Sequence, residues 1–212
     1  ITLLNHPQTN LFILSESMKQ FLTDIGAPIK HPRVEQLKLD DIYIYPDFKN
    51  ELASKDSSKN VKSDELIENF LRENGVWFIE GDKESGKTTL LKQFHNHLFK
   101  QKMVPIYLEM EKLKDGNSLK KVRNIIKRKY ESQYQGDSYE RFLQLNNEER
   151  VILLDNWELS GLNKIGKRDL ISNLTSTFGK IVIMADSSPK NTSDILGLNE
   201  ELERNIVFLE IS

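Results

Sequence analysis

The sequence has 212 residues, enough for one α/β domain of ordinary size with an additional N-terminal segment. Its formal net charge is −2, so no overall positive field marks nucleic acid or an anionic membrane as the main partner. The absence of cysteine excludes disulfides and thiolate metal sites and favours a cytoplasmic location. No apolar run approaches the ~20 residues that a membrane-spanning helix requires.

The N-terminal quarter of the chain is mixed in character. Residues 1–50 are expected to form a linker or the tail of an upstream effector domain, and residues 51–212 a separate domain. Apolar spacing predicts a helix between residues 11 and 22, and the alternation around Ile42 and Ile44 predicts a short strand that ends at Pro46. Residues 3–7, which contain His6, resemble a metal-ligand strand end in metallophosphoesterases, but one histidine without companion motifs cannot build a two-metal site and is more simply a loop residue. Because the chain begins with Ile1 rather than Met, we expect a piece of a longer protein.

From residue 76 onward, apolar runs alternate with amphipathic segments. The runs predict strands, and the segments between them predict helices on both faces of a parallel sheet. The predicted strands are residues 76–79, 104–108, 151–154, 181–185 and 206–211. The predicted helices are residues 89–100, 118–130 and 167–178. The fold class is therefore α/β, with a five-stranded parallel sheet and an N-terminal extension.

Between the first predicted strand and helix lies a glycine-bearing loop that matches G-x-x-x-x-G-K-[ST] at every fixed position. Its main-chain amides and the following helix N-terminus are suited to binding phosphate oxygens. We expect Lys87 to reach the β- and γ-phosphates of a nucleoside triphosphate and Thr88 to place its hydroxyl on Mg²⁺. The nucleotide-binding residues predicted here are Gly81, Asp82, Lys83, Glu84, Ser85, Gly86, Lys87, Thr88 and Thr89.

A second polar position follows the apolar strand 151–154. Asp155 is expected at the carboxyl edge of the sheet, where it would complete the magnesium site with Thr88 and act with Lys87 in catalysis. The next residue is Asn156, at a position where many proteins with this phosphate-binding loop (the P-loop) have Glu. Glu158 either orients the attacking water or is a solvated loop residue, so hydrolysis is expected to be slow or gated. If the fourth strand lies between the P-loop strand and the strand ending in Asp155, one of residues 186–188 could sense the γ-phosphate; the alternative is an ordinary strand-to-turn cluster ahead of Pro189.

The helix at residues 118–130 is rich in lysine and arginine. The ordinary interpretation is a solvated face, but such a cluster can also follow the phosphates of a nucleic acid. This leaves open an alternative function, a nucleic-acid-stimulated AAA-type ATPase. The residues concerned are Lys120, Lys121, Arg123, Lys127, Arg128 and Lys129.

Three segments together resemble the STAND class of signal-transducing NTPases, which includes NACHT proteins. They are residues 76–91, residues 151–158 with the sequence VILLDNWE, and residues 180–186 with the sequence KIVIMAD. Residues 37–47 look like the stretch before the NTPase in bacterial members that carry an N-terminal metallophosphoesterase or other effector. Asn156 departs from the pattern of the family.

The resemblance implies an ATP/ADP-dependent switch with Mg²⁺ as cofactor. It implies that a downstream sensor detects a protein trigger, phage-derived or other, and that ATP then opens the protein. The opened protein self-associates into an oligomer and activates the upstream effector, in many bacterial cases in antiphage defence. A preference for ATP over GTP rests on this resemblance, and no membrane partner is implied.

Overall fold

The computed structural model describes residues 12–26, 37–50, 60–61, 68–70, 72–113, 119–136, 138–188 and 206–211. Its strands are β1 (Ile13–Leu14), β2 (Phe48–Asn50), β3 (Asn60–Val61), β4 (Gly75–Gly81), β5 (Val104–Glu109), β6 (Tyr134–Gln135), β7 (Arg150–Asp155), β8 (Lys180–Asp186) and β9 (Ile206–Ile211). The α-helices that we number are α1 (Glu16–Thr23), α2 (Leu39–Ile42), α3 (Lys87–Lys100), α4 (Leu119–Gln133), α5 (Tyr139–Leu143) and α6 (Lys164–Thr175).

A seven-stranded sheet in the order β3-β2-β9-β4-β8-β7-β5 forms the centre of the molecule. Strands β9, β4, β8, β7 and β5 are parallel, which confirms the predicted five-stranded parallel sheet. At the outer edge of β9, the short strands β2 and β3 add antiparallel pairs that the sequence pattern did not predict. The order also places β8 between β4 and β7, so residues 186–188 emerge between the ends of those two strands.

Both faces of the sheet are covered. Residues 181–185 of β8 are each at most 1% exposed, and successive side chains of a strand point to opposite faces. Helices α3 and α6 both pack against this strand. The near-continuous apolar strands of the sequence therefore have the burial expected of a parallel sheet between two helical layers.

The N-terminal segment packs on the α/β domain. Met18 and Leu22 of α1 are buried, α1 contacts α3, and Phe48 of β2 is fully buried. The predicted boundary at residue 50 and the assignment of residues 1–50 to an upstream domain stay predictions. His6 lies outside the described residues.

The strand predicted around Ile42 and Ile44 was wrong. Residues 39–42 form α2, whose start is fixed by the Asp41 carboxylate accepting a hydrogen bond from the Lys38 amide at 2.9 Å. Ile44 is 87% exposed, so the alternation does not mark a buried face. The strand begins two residues after Pro46, at Phe48, where the chain reaches β9.

Several other element boundaries also differ from the predictions by a few residues. Helix α6 begins three residues before the predicted position 167, because Asn163 caps it by accepting the Gly166 amide at 2.8 Å. Helix α4 continues to Gln133, beyond the predicted end at residue 130. No helix in the described part of the chain has the length and apolar character needed to cross a membrane.

A buried histidine on α3 predicts acid sensitivity. His95 is fully buried, and burial lowers its pKa from 6.5 to about 3. The unfolded chain therefore binds a proton that the folded chain excludes between these two values, and stability falls as the pH falls below 6.5. We expect this residue alone to remove about 2 kcal/mol of unfolding free energy at pH 5 relative to pH 8.

The measurement is urea unfolding of the wild type and of His95→Leu from pH 8 to pH 4. The difference in unfolding free energy between the two proteins isolates the effect of His95, because both proteins have the same carboxylates that titrate in this pH range. A difference that stayed constant with pH would show that His95 does not carry this linkage.

Candidate nucleotide-binding site

The glycine-bearing loop connects β4 to α3 at the carboxyl edge of the sheet. Gly86 has a φ of 85°, in the left-handed region that favours glycine, and α3 begins at the next residue. A Cβ at Gly81 would lie 2.5 Å from Ser85 Oγ and 3.1 Å from Ile211 Cδ1, so the loop folds closely over the ends of β4 and β9. The strand, loop and helix thus have the context that identifies a P-loop.

The side chain of Lys87 lies inside this loop and is buried. Its Nζ donates to the carbonyl oxygens of Gly81 at 2.9 Å and Asp82 at 2.6 Å. The same ammonium group forms an ion pair with Asp186 Oδ1 at 2.8 Å. The one buried cation of the loop is thus paired with a carboxylate from the end of β8.

Thr88 and Asp155 meet as the sequence predicts. Thr88 Oγ1 donates to Asp155 Oδ2 at 2.7 Å, and the Asn156 amide donates to Oδ1 at 3.0 Å. Asp155 is only 1% exposed, although it ends a strand at the edge of the sheet. Asn156 itself has a left-handed φ of 56°, which turns the chain sharply after the carboxylate.

Glu158 also enters this edge of the sheet. It lies in the 3₁₀ turn Trp157–Leu159, and its Oε2 accepts a hydrogen bond from the Asp186 amide at 3.0 Å. It is therefore not simply a solvated loop residue, since it contacts the residue that pairs with Lys87. Its predicted role toward a water molecule stays a prediction.

The remaining loop residues contribute main chain rather than buried side chains. Asp82, Lys83 and Glu84 are exposed, and Ser85 and Thr89 are half-buried. The Ser85 amide donates to the Asp82 carbonyl at 3.1 Å, which closes the turn before the helix. The assignment of residues 81–89 to nucleotide binding fits this geometry and stays a prediction.

Two polar residues of this edge were not predicted. Tyr107 on β5 donates its phenol to Asp155 Oδ2 at 2.7 Å. Burial, followed by the Asp155 carboxylate, raises the pKa of this phenol, so it remains a donor. Glu80, which is 6% exposed at the end of β4, accepts from the Ser188 amide at 3.2 Å. A charged residue inside the apolar strand was a signal for Glu80; no local signal marked Tyr107.

The oxygen donors of Thr88 and Asp155 suit Mg²⁺ bound together with a nucleotide better than they suit a metal ion that is held by protein ligands alone. A hydroxyl and a carboxylate lie side by side, and Mg²⁺ prefers oxygen ligands with substrate phosphates and water completing its shell. Among the described residues there is no group of three or more His, Cys, Asp or Glu able to hold a metal ion. Thr88 and Asp155 would therefore hold the ion together with the nucleotide.

The chain thus has the α/β architecture of a P-loop NTPase. No protein-family model matches the chain, and no curated protein matches it either. Solved structures with a similar arrangement are a DNA replication initiation factor (23% identity, 70% of this chain and 43% of that one, TM-score 0.42) and a replication initiator DnaA bound to AMPPCP and single-stranded DNA (20%, 82% and 49%, 0.45). A third is the Drosophila ORC bound to AT-rich DNA and Cdc6 (9%, 70% and 52%, 0.46). The chain spans about half the length of these chains, and the similarity is one of general fold only.

Proposed function

We propose that the chain is the ATP-binding switch module of a larger signalling NTPase. The observation that carries this proposal is the ion pair of Lys87 with Asp186, at the place where a γ-phosphate would reach the lysine. In the structure this carboxylate satisfies the charge of the lysine. A triphosphate would compete with Asp186 for Lys87 through its γ-phosphate, a group that a diphosphate lacks.

The competition links nucleotide state to the end of β8. The carboxylate of Asp186 pairs with Lys87, and its amide is bound by Glu158. Displacement of Asp186 would therefore also loosen the hydrogen bond of Glu158. A ligand shifts a two-state protein only by its different affinity for the two states, and this pair supplies such a difference between ATP and ADP.

Each site residue has a role in this proposal. The loop amides and Lys87 would bind the phosphates, and Thr88 with Asp155 would hold Mg²⁺, which would supply charge neutralisation at the phosphates. Glu158 orients the attacking water once its hydrogen bond to the Asp186 amide is released. Hydrolysis is gated for this reason, because the Glu158 carboxylate is engaged by the Asp186 amide and must leave it to reach a water molecule.

The biological setting rests on the resemblance to STAND proteins. In that setting ATP drives self-association, a downstream sensor responds to a protein trigger, and an upstream effector is activated in the cytoplasm, with antiphage defence as the physiological role. The support is the combination of the P-loop, the strand ending in Asp155 and the residues 180–186, now seen on adjacent strands.

The test measures nucleotide binding and oligomeric state, using the longest expressed protein that contains these 212 residues. Calorimetry with Mg²⁺ and ATP, ADP or a non-hydrolysable ATP analogue gives the affinities, and size-exclusion chromatography with the same ligands gives the oligomeric state. We expect ATP and its analogue, but not ADP, to shift the chain to a larger species. Equal affinities for ATP and ADP with unchanged assembly would refute the switch, and no Mg-nucleotide binding by folded protein would refute the site itself.

A nucleic-acid-stimulated ATPase is the second candidate. Its support is α4, on which Lys120, Arg123 and Arg128 are exposed. Two other cations of the helix already pair with carboxylates: Lys127 with Glu140 at 3.2 Å, and Lys129 with Glu109 at 3.3 Å. A gel shift with single- and double-stranded DNA at about 50 and 200 mM salt decides, because contacts to several phosphates lose orders of magnitude of affinity over this range.

A further inference from the structure

Tyr107 reaches the Asp155 carboxylate diagonally across two adjacent strands. It lies on β5 opposite Leu153 of β7, two residues before the pair formed by Glu109 and Asp155. Residues two apart on a strand share a face, and a long aromatic side chain can reach the diagonal neighbour on the next strand. The Tyr107 hydroxyl does so, and its oxygen lies 2.7 Å from Asp155 Oδ2.

Asp155 receives hydrogen bonds from three separate parts of the chain. Thr88 and Tyr107 share Oδ2, and the Asn156 amide occupies Oδ1. Thr88 would give its oxygen to Mg²⁺ when nucleotide binds, so its hydrogen bond depends on the ligand state. The Tyr107 phenol is not a metal ligand, and its contact with the carboxylate can persist in both states.

Tyr107 is itself held on its backbone and on its ring. Strand β5 is an edge strand, and the side-chain amide of Gln133 pairs with its outer backbone: Oε1 accepts from the Tyr107 amide at 2.9 Å, and Nε2 donates to the Tyr107 carbonyl at 2.6 Å. The ring packs against Phe21 of α1 with centroids 4.8 Å apart. Tyr107 is only 6% exposed. This support restricts the position from which the hydroxyl contacts Asp155.

We propose that Tyr107 is a positioning residue for the magnesium ligand Asp155. It fixes the orientation of the carboxylate, so that the carboxylate does not have to be reoriented when Thr88 turns to the metal. The inference rests on the proposed nucleotide site. Partners of metal ligands have effects of this kind, and their loss typically costs about 10- to 100-fold in metal affinity or activity.

The test is Tyr107→Phe, which removes only the hydroxyl. The Mg²⁺ concentration for half-maximal ATP affinity is measured by calorimetry on the full chain, and Mn²⁺ bound with ATP is followed by electron paramagnetic resonance. We expect a rise of about 10-fold in the required metal concentration and a broadened Mn²⁺ signal. ATP affinity without metal stays within about two-fold of the wild type, because Tyr107 does not contact the P-loop lysine.

The matched control is Tyr134→Phe. Tyr134 is another buried tyrosine, whose hydroxyl donates to the Pro105 carbonyl at 2.7 Å on the same strand β5. We expect its loss to leave the metal dependence unchanged. An equal shift in both variants would overturn the proposal, since it would reflect general loosening of β5.

A second variant covers the case in which Tyr107→Phe is too unstable to measure. Phe21→Leu loosens the packing of the ring but keeps the hydroxyl, and we expect a smaller rise in the same direction. If the wild type binds Mg-ATP and both variants match its metal dependence, the inference about Tyr107 fails alone. If the wild type shows no metal-dependent nucleotide binding, the proposed site fails with it.

Discussion

Replacement of Lys87 by Ala is expected to weaken Mg-ATP binding by about 100-fold while the chain remains folded. Lys87 is the cation inside the loop, and several carboxylates lie at the same edge of the sheet: Glu80, Asp155, Glu158 and Asp186. Without Lys87 a triphosphate would enter a region of like charge. Loss of a charged hydrogen bond costs up to about 3 kcal/mol, which corresponds to this factor.

The matched control is Lys83→Ala in the same loop. Lys83 is exposed, so this variant removes the same charge and keeps the main-chain amide. We expect the Mg-ATP affinity of this variant to stay within about three-fold of the wild-type affinity. The remaining difference between the two proteins should shrink at higher salt, because salt screens an exposed charge. Calorimetry gives the affinities, and circular dichroism with thermal melting shows that both variants are folded. A folded Lys87→Ala variant that bound Mg-ATP as tightly as Lys83→Ala would contradict the assigned role of Lys87.

The sheet and the P-loop could be predicted because their signals are local. Apolar runs such as residues 151–154 identify buried strands, and the fixed spacing from Gly81 to Thr88 identifies a loop between a strand and a helix. The position of Asp155 followed from the same logic, since the carboxyl ends of parallel strands meet at one edge. The structure places Thr88 and Asp155 in direct contact.

The structure of the N-terminal segment, residues 37–50, was less predictable from the sequence. Alternation around Ile42 and Ile44 is the pattern of a half-buried strand, yet these side chains are 38% and 87% exposed. The local capping interaction of Asp41 favoured a short helix, and only the distant strand β9 determines that Phe48 starts a strand. Pairing between residues so far apart leaves no periodic signal in either segment.

The charged contacts of the site depend on strand order and register. The order β4-β8-β7 brings Asp186 to Lys87, a possibility that the sequence left open because strand order was unknown. Tyr107 could not be identified, because its reach to Asp155 depends on the register of β5 against β7. The sequence thus identified the P-loop and the contact partner of Thr88, Asp155, whereas the contacts of Asp186 and Tyr107 with these residues depend on the order and register of the strands.

Replacement of Asp186 by Asn is expected to raise the affinity for Mg-ATP by about 5- to 10-fold and to leave the affinity for Mg-ADP unchanged. The wild-type protein must break the 2.8 Å ion pair with Lys87 before the γ-phosphate can reach the lysine. Asp186 is 39% exposed, so solvent screens the pair, and about 1 kcal/mol is a reasonable cost for breaking it. The variant keeps the amide that Glu158 binds, so the end of β8 retains that hydrogen bond.

Asp82→Asn is the matched control for this gain. Asp82 is an exposed carboxylate of the same loop, and its contact with Lys87 is made by the backbone carbonyl, which the substitution keeps. Solvent screens this exposed carboxylate, and its removal leaves the Lys87–Asp186 ion pair in place, so the ratio of the two affinities should stay close to that of the wild type. The ratio measured for Asp186→Asn therefore isolates the competition at Lys87. If Asp186→Asn instead weakened ATP binding, Asp186 would assist the triphosphate rather than compete with it, and displacement of this carboxylate could not be what distinguishes ATP from ADP.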